Sequence, residues 1–555
     1  MIRMKQIMLV LFSSTFIANV HAQLYNNGAT ITVQNNAYIT VMGELQNNTG
    51  TITNDGKIEV QGSFTNNATY NSTAAEDSLI FKGIGNSIFK SGGATINFLT
   101  LNKTAAADFV TLNGNALIGK KLDFLSGSFT TDPIANPAYK VISPITAAYT
   151  FAAGTEIIGS VQRTGWANGA ANVFNQTHML VTTNAGTAPT DVTVTMIPQT
   201  AGGDPTQTER EVKRKYTFAQ TGGSAFTADV RYAYQSTELN TNTEANLVPW
   251  KLVSGEWNGL TTGATRDVVN HYVNYTAIPA ADLLQEWKLA DPNYTFNVTA
   301  YLSGAWINST GLMRSVLSAS ANFPLSQPYT STPFSYTGTE SVTTVPANVV
   351  DWLLVEFRKP TTGLPADAIN STVIGRKACF LLNNGSVVNT DGTSVSSFDI
   401  NKQGAGFVVV RHRNHLAVMS NSLASNTTGS YTNSFAALAN VYQKPTVLSA
   451  PAVVLSAAAP GNALFGLWAG DVNNNGAVTT SDITPINNAI SGPSTGNTNV
   501  YNVRDINLDT NVTTTDITLT NRSISNTAAT SSSRGTATTN NKPKNATSNV
   551  PGEHN

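Results

Sequence analysis

The ten residues ITVMGELQNN, 39–48, return nineteen positions later as IEVQGSFTNN, 58–67. Ile39, Val41 and Leu45 fall in step with Ile58, Val60 and Phe64, and both copies place a Gly and then a pair of Asn at matching points. Alternating apolar residues put one face of a strand into a core, and Gly and Asn turn the chain. A period near twenty with short strands predicts a β-solenoid, whose coils stack to bury faces that no single coil could bury. Weaker echoes continue in SLIFKG, INFLTLN, FVTLNG and LDFLSGSFTT, which sets the solenoid-like region at 23–135. An ordinary β-meander is the competing arrangement. Solenoids host lyases and adhesins alike. Glu44, Glu59, Asp77, Asp108 and Asp123 are scattered rather than clustered, so a spacer or adhesive surface fits better than a lyase.

At 555 residues the chain is too long for one core. Charged residues make up 12% and the net charge is -1, without the basic excess that a nucleic-acid partner or an anionic membrane surface requires. The start explains the compartment. Arg3 and Lys5 precede an apolar run from about Ile7 to Val20, and Val20-His21-Ala22 offers a small-residue cleavage site. Residues 1–22 therefore read as a signal peptide, and the protein as secreted or cell-surface associated. No later stretch reaches the length of a spanning helix. Cys379 stands alone and reads as a small buried hydrophobe.

Beyond TTDPIANPAYKVISP the pattern changes to strand-like runs separated by turn residues, which predicts two β-sandwiches, 136–290 and 291–465. VVDWLLVEFR, 349–358, is nearly continuous apolar and reads as a central strand. EREVKRKY, 209–216, reads as a solvated strand face. In RHRNH, His412 and His415 are three apart, so an extended strand would point them to opposite faces and deny them a shared metal. Trp250, Trp257, Trp306 and Trp352 could stack on sugars, but core packing is their commoner fate. Neither a nucleophile elbow nor a zinc-protease or phosphate-cradling motif occurs. The segments PLSQPY, YTGTESV, VVDWLLVEFR and VVVRHRNHLAVMS resemble parts of large secreted cell-surface proteins of the Bacteroidetes, hemagglutinin-like or adhesin-like, over about 290–525. That resemblance implies surface attachment and supplies no catalytic residue.

Two further stretches align without a gap, GDVNNNGAVTTSD at 470–482 and RDINLDTNVTTTD at 504–516. Calcium takes six to eight oxygens, and a twelve-residue loop supplies them from positions 1, 3, 5, 7, 9 and 12, with a sharp turn at 6. The first loop offers Asp471, Asn473, Asn475, Ala477, Thr479 and Asp482, and the second Asp505, Asn507, Asp509, Asn511, Thr513 and Asp516. Gly476 occupies position 6 in the first loop but Thr510 does in the second, and Val478 and Val512 sit at position 8. Each loop runs into a short helical pattern, with Ile483, Ile486 and Ile490 on one face of the first. A duplicated loop-then-helix resembles a type I dockerin. The resemblance covers 471–524 and implies calcium in two sites, modest affinity, and a protein partner of cohesin type.

From Ser525 onward apolar residues thin out, and 526–555 reads as a disordered tail. The expectation is a mostly β chain: a β-solenoid-like start, β-sandwich domains, and a small α-helical dockerin-like calcium module at 466–525. It would be a non-enzymatic adhesion or assembly protein, docking a cohesin-type or cell-surface partner, with carbohydrate as a further ligand. The alternative is a component of a polysaccharide-degrading system. Its glycoside hydrolase carboxylates would come from positions such as Glu340, Asp351 or Glu356.

Overall fold

A computed structural model describes residues 22–72, 77–199, 210–421, 429–447, 449–456, 463–492, 497–525 and 545–552. The signal-peptide reading lies outside them, apart from Ala22. The chain divides into two units, Met1–Asp291 and Pro292–Asn555. It is mostly β, with a solenoid of about seven turns.

The repeat that opened the sequence is the register of the solenoid. Strands Tyr38–Val41 and Lys57–Val60 pair in parallel, with Ile39 opposite Ile58 and Val41 opposite Val60. On the next face, Leu45 lies opposite Phe64 and Asn47 opposite Asn66. A nineteen-residue offset between like residues is thus one coil, and the meander is excluded. Inside, aromatic rings stack from coil to coil, Phe64 on Phe89 at 5.8 Å and Phe89 on Phe129 at 6.2 Å. Each buried Phe contributes about 1.5–3 kcal/mol. The first Asn of each pair forms an internal ladder at the corner. Asn26 Nδ2 donates to Asn47 Oδ1 at 2.9 Å, and Asn47 Nδ2 donates to Asn66 Oδ1 at 2.7 Å. The second Asn of each pair, Asn27, Asn48 and Asn67, forms a looser outer row.

The solenoid does not stop at 135. Strand Lys140–Pro144 still pairs in parallel with Ile157–Thr164. The sequence break at 131–139 is a loop between coils, whose Pro and Asn residues imitate a linker. The far edge of Ile157–Thr164 then pairs antiparallel with Asp191–Pro198. The sheet continues through Arg214–Thr221, Glu286–Ala290, Val248–Val253 and Glu256–Gly259. Asn172–Val173, Leu180–Asn184, Thr227–Ala233, Tyr272–Pro279 and Thr265–Asp267 form the facing sheet. One hydrophobic core runs from Val33 to Leu289, so solenoid and sandwich are continuous. The antiparallel strands also cover the last coil's backbone edge, which would otherwise be a template for aggregation.

The expectation of a solvated EREVKRKY face fails at Arg210, Glu211 and Arg214, while Lys213 and Lys215 stay partly exposed. Arg214 is fully buried, 2.7 Å from both Glu156 and Glu238. Lys288 pairs with Glu211, and Arg210 lies 3.6 Å from Asp291. Alternation puts Arg214 and Tyr216 on the same inward face, and the distant carboxylates make burial of the charge tolerable.

In the second unit, Val349–Arg358 is buried at every residue and is the middle strand of five, in the order Val387–Val388, Val373–Leu382, Val349–Arg358, Phe407–Arg411, Val418–Met419. Ser396–Asp399, Asn293–Thr299 and Ser430–Ser434 form the opposing sheet. Phe296, Phe398 and Tyr431 from one sheet meet Phe357, Trp352 and Phe380 from the other in a shared core. Cys379 is buried there, and burial pushes its thiol up to about 12, as suits an inert hydrophobe.

Candidate metal centre

Both polar loops fold on one plan. In the first, Asp471 accepts from the backbone N–H of Asn475 at 3.1 Å through Oδ1 and of Gly476 at 3.0 Å through Oδ2. In the second, Asp505 accepts from Asp509 at 3.1 Å and Thr510 at 2.8 Å in the same way. Asp482 Oδ1 takes the N–H groups of Val472 and Asn473, and its Oδ2 that of Thr479. Asp516 does likewise with Ile506, Asn507 and Thr513. Asn473 and Asn507 close matching turns onto positions 475 and 509, and Asn475 and Asp509 onto positions 477 and 511. The chain turns left-handed at position 6 of each loop, Gly476 with φ 80° and Thr510 with φ 76°.

Helices Thr480–Ser491 and Thr514–Ile524 follow, capped by Thr479 and Thr513, with Asp482 and Asp516 at the third helical position of a capping box. The last carboxylate of each loop therefore also fixes the start of its helix. Ile486, Val472, Ile506 and Val512 are buried between the two repeats.

Position 8 of each loop is clasped by another strand. Val512 N–H donates to the Asn497 carbonyl at 2.7 Å, and Val500 N–H to that of Thr510 at 2.9 Å. Around the first loop the same service comes from far along the chain. Val478 N–H donates to the Ala546 carbonyl at 2.9 Å, and Ser548 N–H to that of Gly476 at 2.8 Å. This ladder leaves the Ala477 carbonyl facing away from it. Residues 545–552 therefore depart from the expected disordered tail. Ala546 and Val550 are fully buried, and the Pro551 carbonyl accepts from Arg358 at 3.0 Å. Two small apolar residues, spaced to enter existing clefts, suffice where a whole segment lacks a core of its own.

The donor set suits a hard cation. Each loop gathers carboxylate, amide, hydroxyl and carbonyl oxygens and no sulfur or imidazole. Asp505 and Asp516 are fully buried. Burial pushes Asp505 up to about 7, with Arg413 opposing and the Asp516 charge adding to the shift. Burial likewise raises Asp516. Two sequestered like charges of this kind are stabilised by a divalent ion. No three His, Cys, Asp or Glu side chains converge among the described residues, and a loop rich in amide and hydroxyl oxygens does not need three.

Residues 469–525 match the family model of the dockerin type I domain. No curated protein and no solved structure matches the chain. Type I dockerins are calcium-binding modules, they dock onto cohesins, and proteins bearing them are typically extracellular or on the cell surface. The dockerin match spans both loops and both helices. Among the described residues, no helix is long and apolar enough to cross a membrane.

The other candidates are held by neighbouring side chains and backbone groups. Asp351 is fully buried and held by Arg413 at 2.9 Å, His412 at 3.0 Å and the Tyr501 hydroxyl at 2.8 Å. Burial pushes it up, but Arg413 and His412 win and bring it down to about 2. Glu356 is buried against Arg358 at 2.8 Å and Arg411 at 3.2 Å. Glu340 accepts from the Tyr336 hydroxyl at 2.6 Å. His412 and His415 do meet, contrary to the extended-strand expectation. The strand ends at Arg411 and the chain turns, bringing the two Nδ1 atoms to 3.1 Å. Their Nε2 atoms are engaged by Asp351 and by the Gly304 N–H. Trp250 and Trp352 are fully buried core residues.

Proposed function

We propose that this is a secreted or cell-surface adhesion or assembly protein, without catalytic activity of its own, whose dockerin module binds calcium in both loops and docks a protein partner of cohesin type. The identical hydrogen-bond frames of the two loops carry this reading. Asp471, Asn473, Asn475, Ala477, Thr479 and Asp482 would hold one ion, and Asp505, Asn507, Asp509, Asn511, Thr513 and Asp516 the other. Bound calcium supplies positive charge to the buried carboxylates. The chain does the rest: the backbone N–H groups aim Asp471, Asp505, Asp482 and Asp516 inward, and the capping boxes transmit the loop geometry to the helices, whose outer residues such as Thr484, Asn488 and Thr518 are exposed. The solenoid and sandwiches would serve as stalk and attachment surface.

Calorimetric titration of the full chain with calcium tests the ion sites. Two equivalents are expected, falling to one in Asp482→Ala and in Asp516→Ala. The partner reading is tested by capture on immobilised type I cohesin with and without chelator. Capture that ignores the chelator, or no uptake of calcium at all, would sink the proposal.

A further inference from the structure

The two repeats are unequal at position 4, where the first loop has Asn474 and the second Leu508, both with φ 55°. Position 4 carries no ligand oxygen. Asn474 is half-buried, but Leu508 is fully buried in the core of the 292–456 sandwich, in the cluster that holds Trp352, Phe380 and Val349. An apolar residue at the tip of a polar loop has a reason only if something covers it, and here the cover is the same chain.

The turn at 411–415 completes the seat. Asn414, fully buried, donates from Nδ2 to the carbonyls of Val503 at 3.0 Å and Asp505 at 2.8 Å. Arg413 donates to the Asn502 carbonyl, and its guanidinium lies 4.3 Å from the Tyr501 ring centre. The Tyr501 hydroxyl reaches Asp351 on the central strand. Gly304 faces the Ile506 carbonyl so closely that any Cβ would collide with it. Arg314 lies 3.4 Å from Asp509. The carbonyls of Asn502, Val503 and Asp505 thus find donors on the sandwich, and Leu508 finds its core.

We propose that the second calcium loop is docked in cis: its partner is this chain's own sandwich, seated through Leu508 and the Arg413–Asn414 turn, so that calcium in that loop also locks the central sandwich strand. The inference rests on the calcium reading above. Opening of the strand Val349–Arg358 then requires release of the loop, and hence of its ion.

Hydrogen exchange of the full chain, with calcium and with chelator, tests this. At calcium about 100 times its Kd, exchange through the coupled opening should slow about 100-fold, both in residues 503–516 and in Val349–Arg358. Leu508→Asn copies the first loop and leaves every ligand in place. It should keep the calcium effect in 503–516 and lose it in Val349–Arg358. Slowing confined to 503–516 in the unaltered chain overturns the cis dock while leaving calcium binding intact, and so does Leu508→Asn retaining the effect in both segments. No slowing in either segment overturns both the dock and the calcium reading beneath it.

Discussion

Thr510 holds a left-handed backbone where its counterpart in the first loop is Gly476. A side chain in that conformation costs about 1–2 kcal/mol, whereas Gly pays about 0.5–1 kcal/mol in lost freedom on folding. Thr510→Gly should therefore stabilise the calcium-free protein by up to about 1 kcal/mol and leave the Asp505 hydrogen bond to its N–H in place. Denaturant unfolding in chelator measures it, and a destabilised variant would mean that the Thr side chain has an unseen role. The departure from Gly was legible in the sequence, because position 6 is fixed by the alignment of the two loops. Leu508 was legible in principle too, as an apolar residue where the first loop has Asn474. What could not be read was its cover, since the core it enters is built largely from distant residues such as Val349, Trp352 and Phe380.

At the scale of elements, the solenoid was readable because its pairing register is the repeat offset itself. The Asn pairs, read only as turns, prove to be two ladders with different environments. Asn47 is fully buried and serves Asn26, Asn66 and the Thr69 carbonyl at once. Asn47→Ala strands several buried polar groups and should cost about 2–4 kcal/mol, whereas Asn48→Ala on the outer row should stay within about 0.5 kcal/mol. Equal effects in thermal unfolding would refute the inner ladder's role. Three expectations failed for one shared reason: local pattern does not report distant partners. The loop at 131–139 looked like the end of the solenoid because the coil after it lacks the repeat's Gly-Asn signature. Arg214 looked solvated because Glu156 lies 58 residues away. His412 and His415 looked divergent because the strand was assumed to continue past Arg411.

At the scale of the molecule, the C-terminal unit binds sandwich, dockerin and the 545–552 strap around buried polar groups, and these set its response to pH. His412 and His415 are fully buried, and burial pushes both below the ordinary value of 6.5. Asp351 from the central strand, Arg413 from the same turn, and Tyr501 from the dockerin surround them. Between pH 6.5 and the lowered folded values the unfolded chain protonates these imidazoles more fully than the folded chain does. The unfolded state then binds more protons, so stability falls as pH falls through that window. Asp351 acts lower down. Its pKa is depressed to about 2 from 3.8, so its contribution of about 2 kcal/mol is present above pH 4 and lost between about pH 4 and pH 2. Asp505, raised to about 7, gains its proton in the folded chain over the same interval and opposes this fall, so exchange in Val349–Arg358, corrected for intrinsic rates and measured in Asp505→Asn, should show protection declining from pH 7 to pH 5. His412→Gln, whose amide can still donate to Asp351, should reduce that slope. Protection that is flat across this interval would mean that the buried rings titrate as they do in water, and the fully desolvated His–His–Asp arrangement would be wrong.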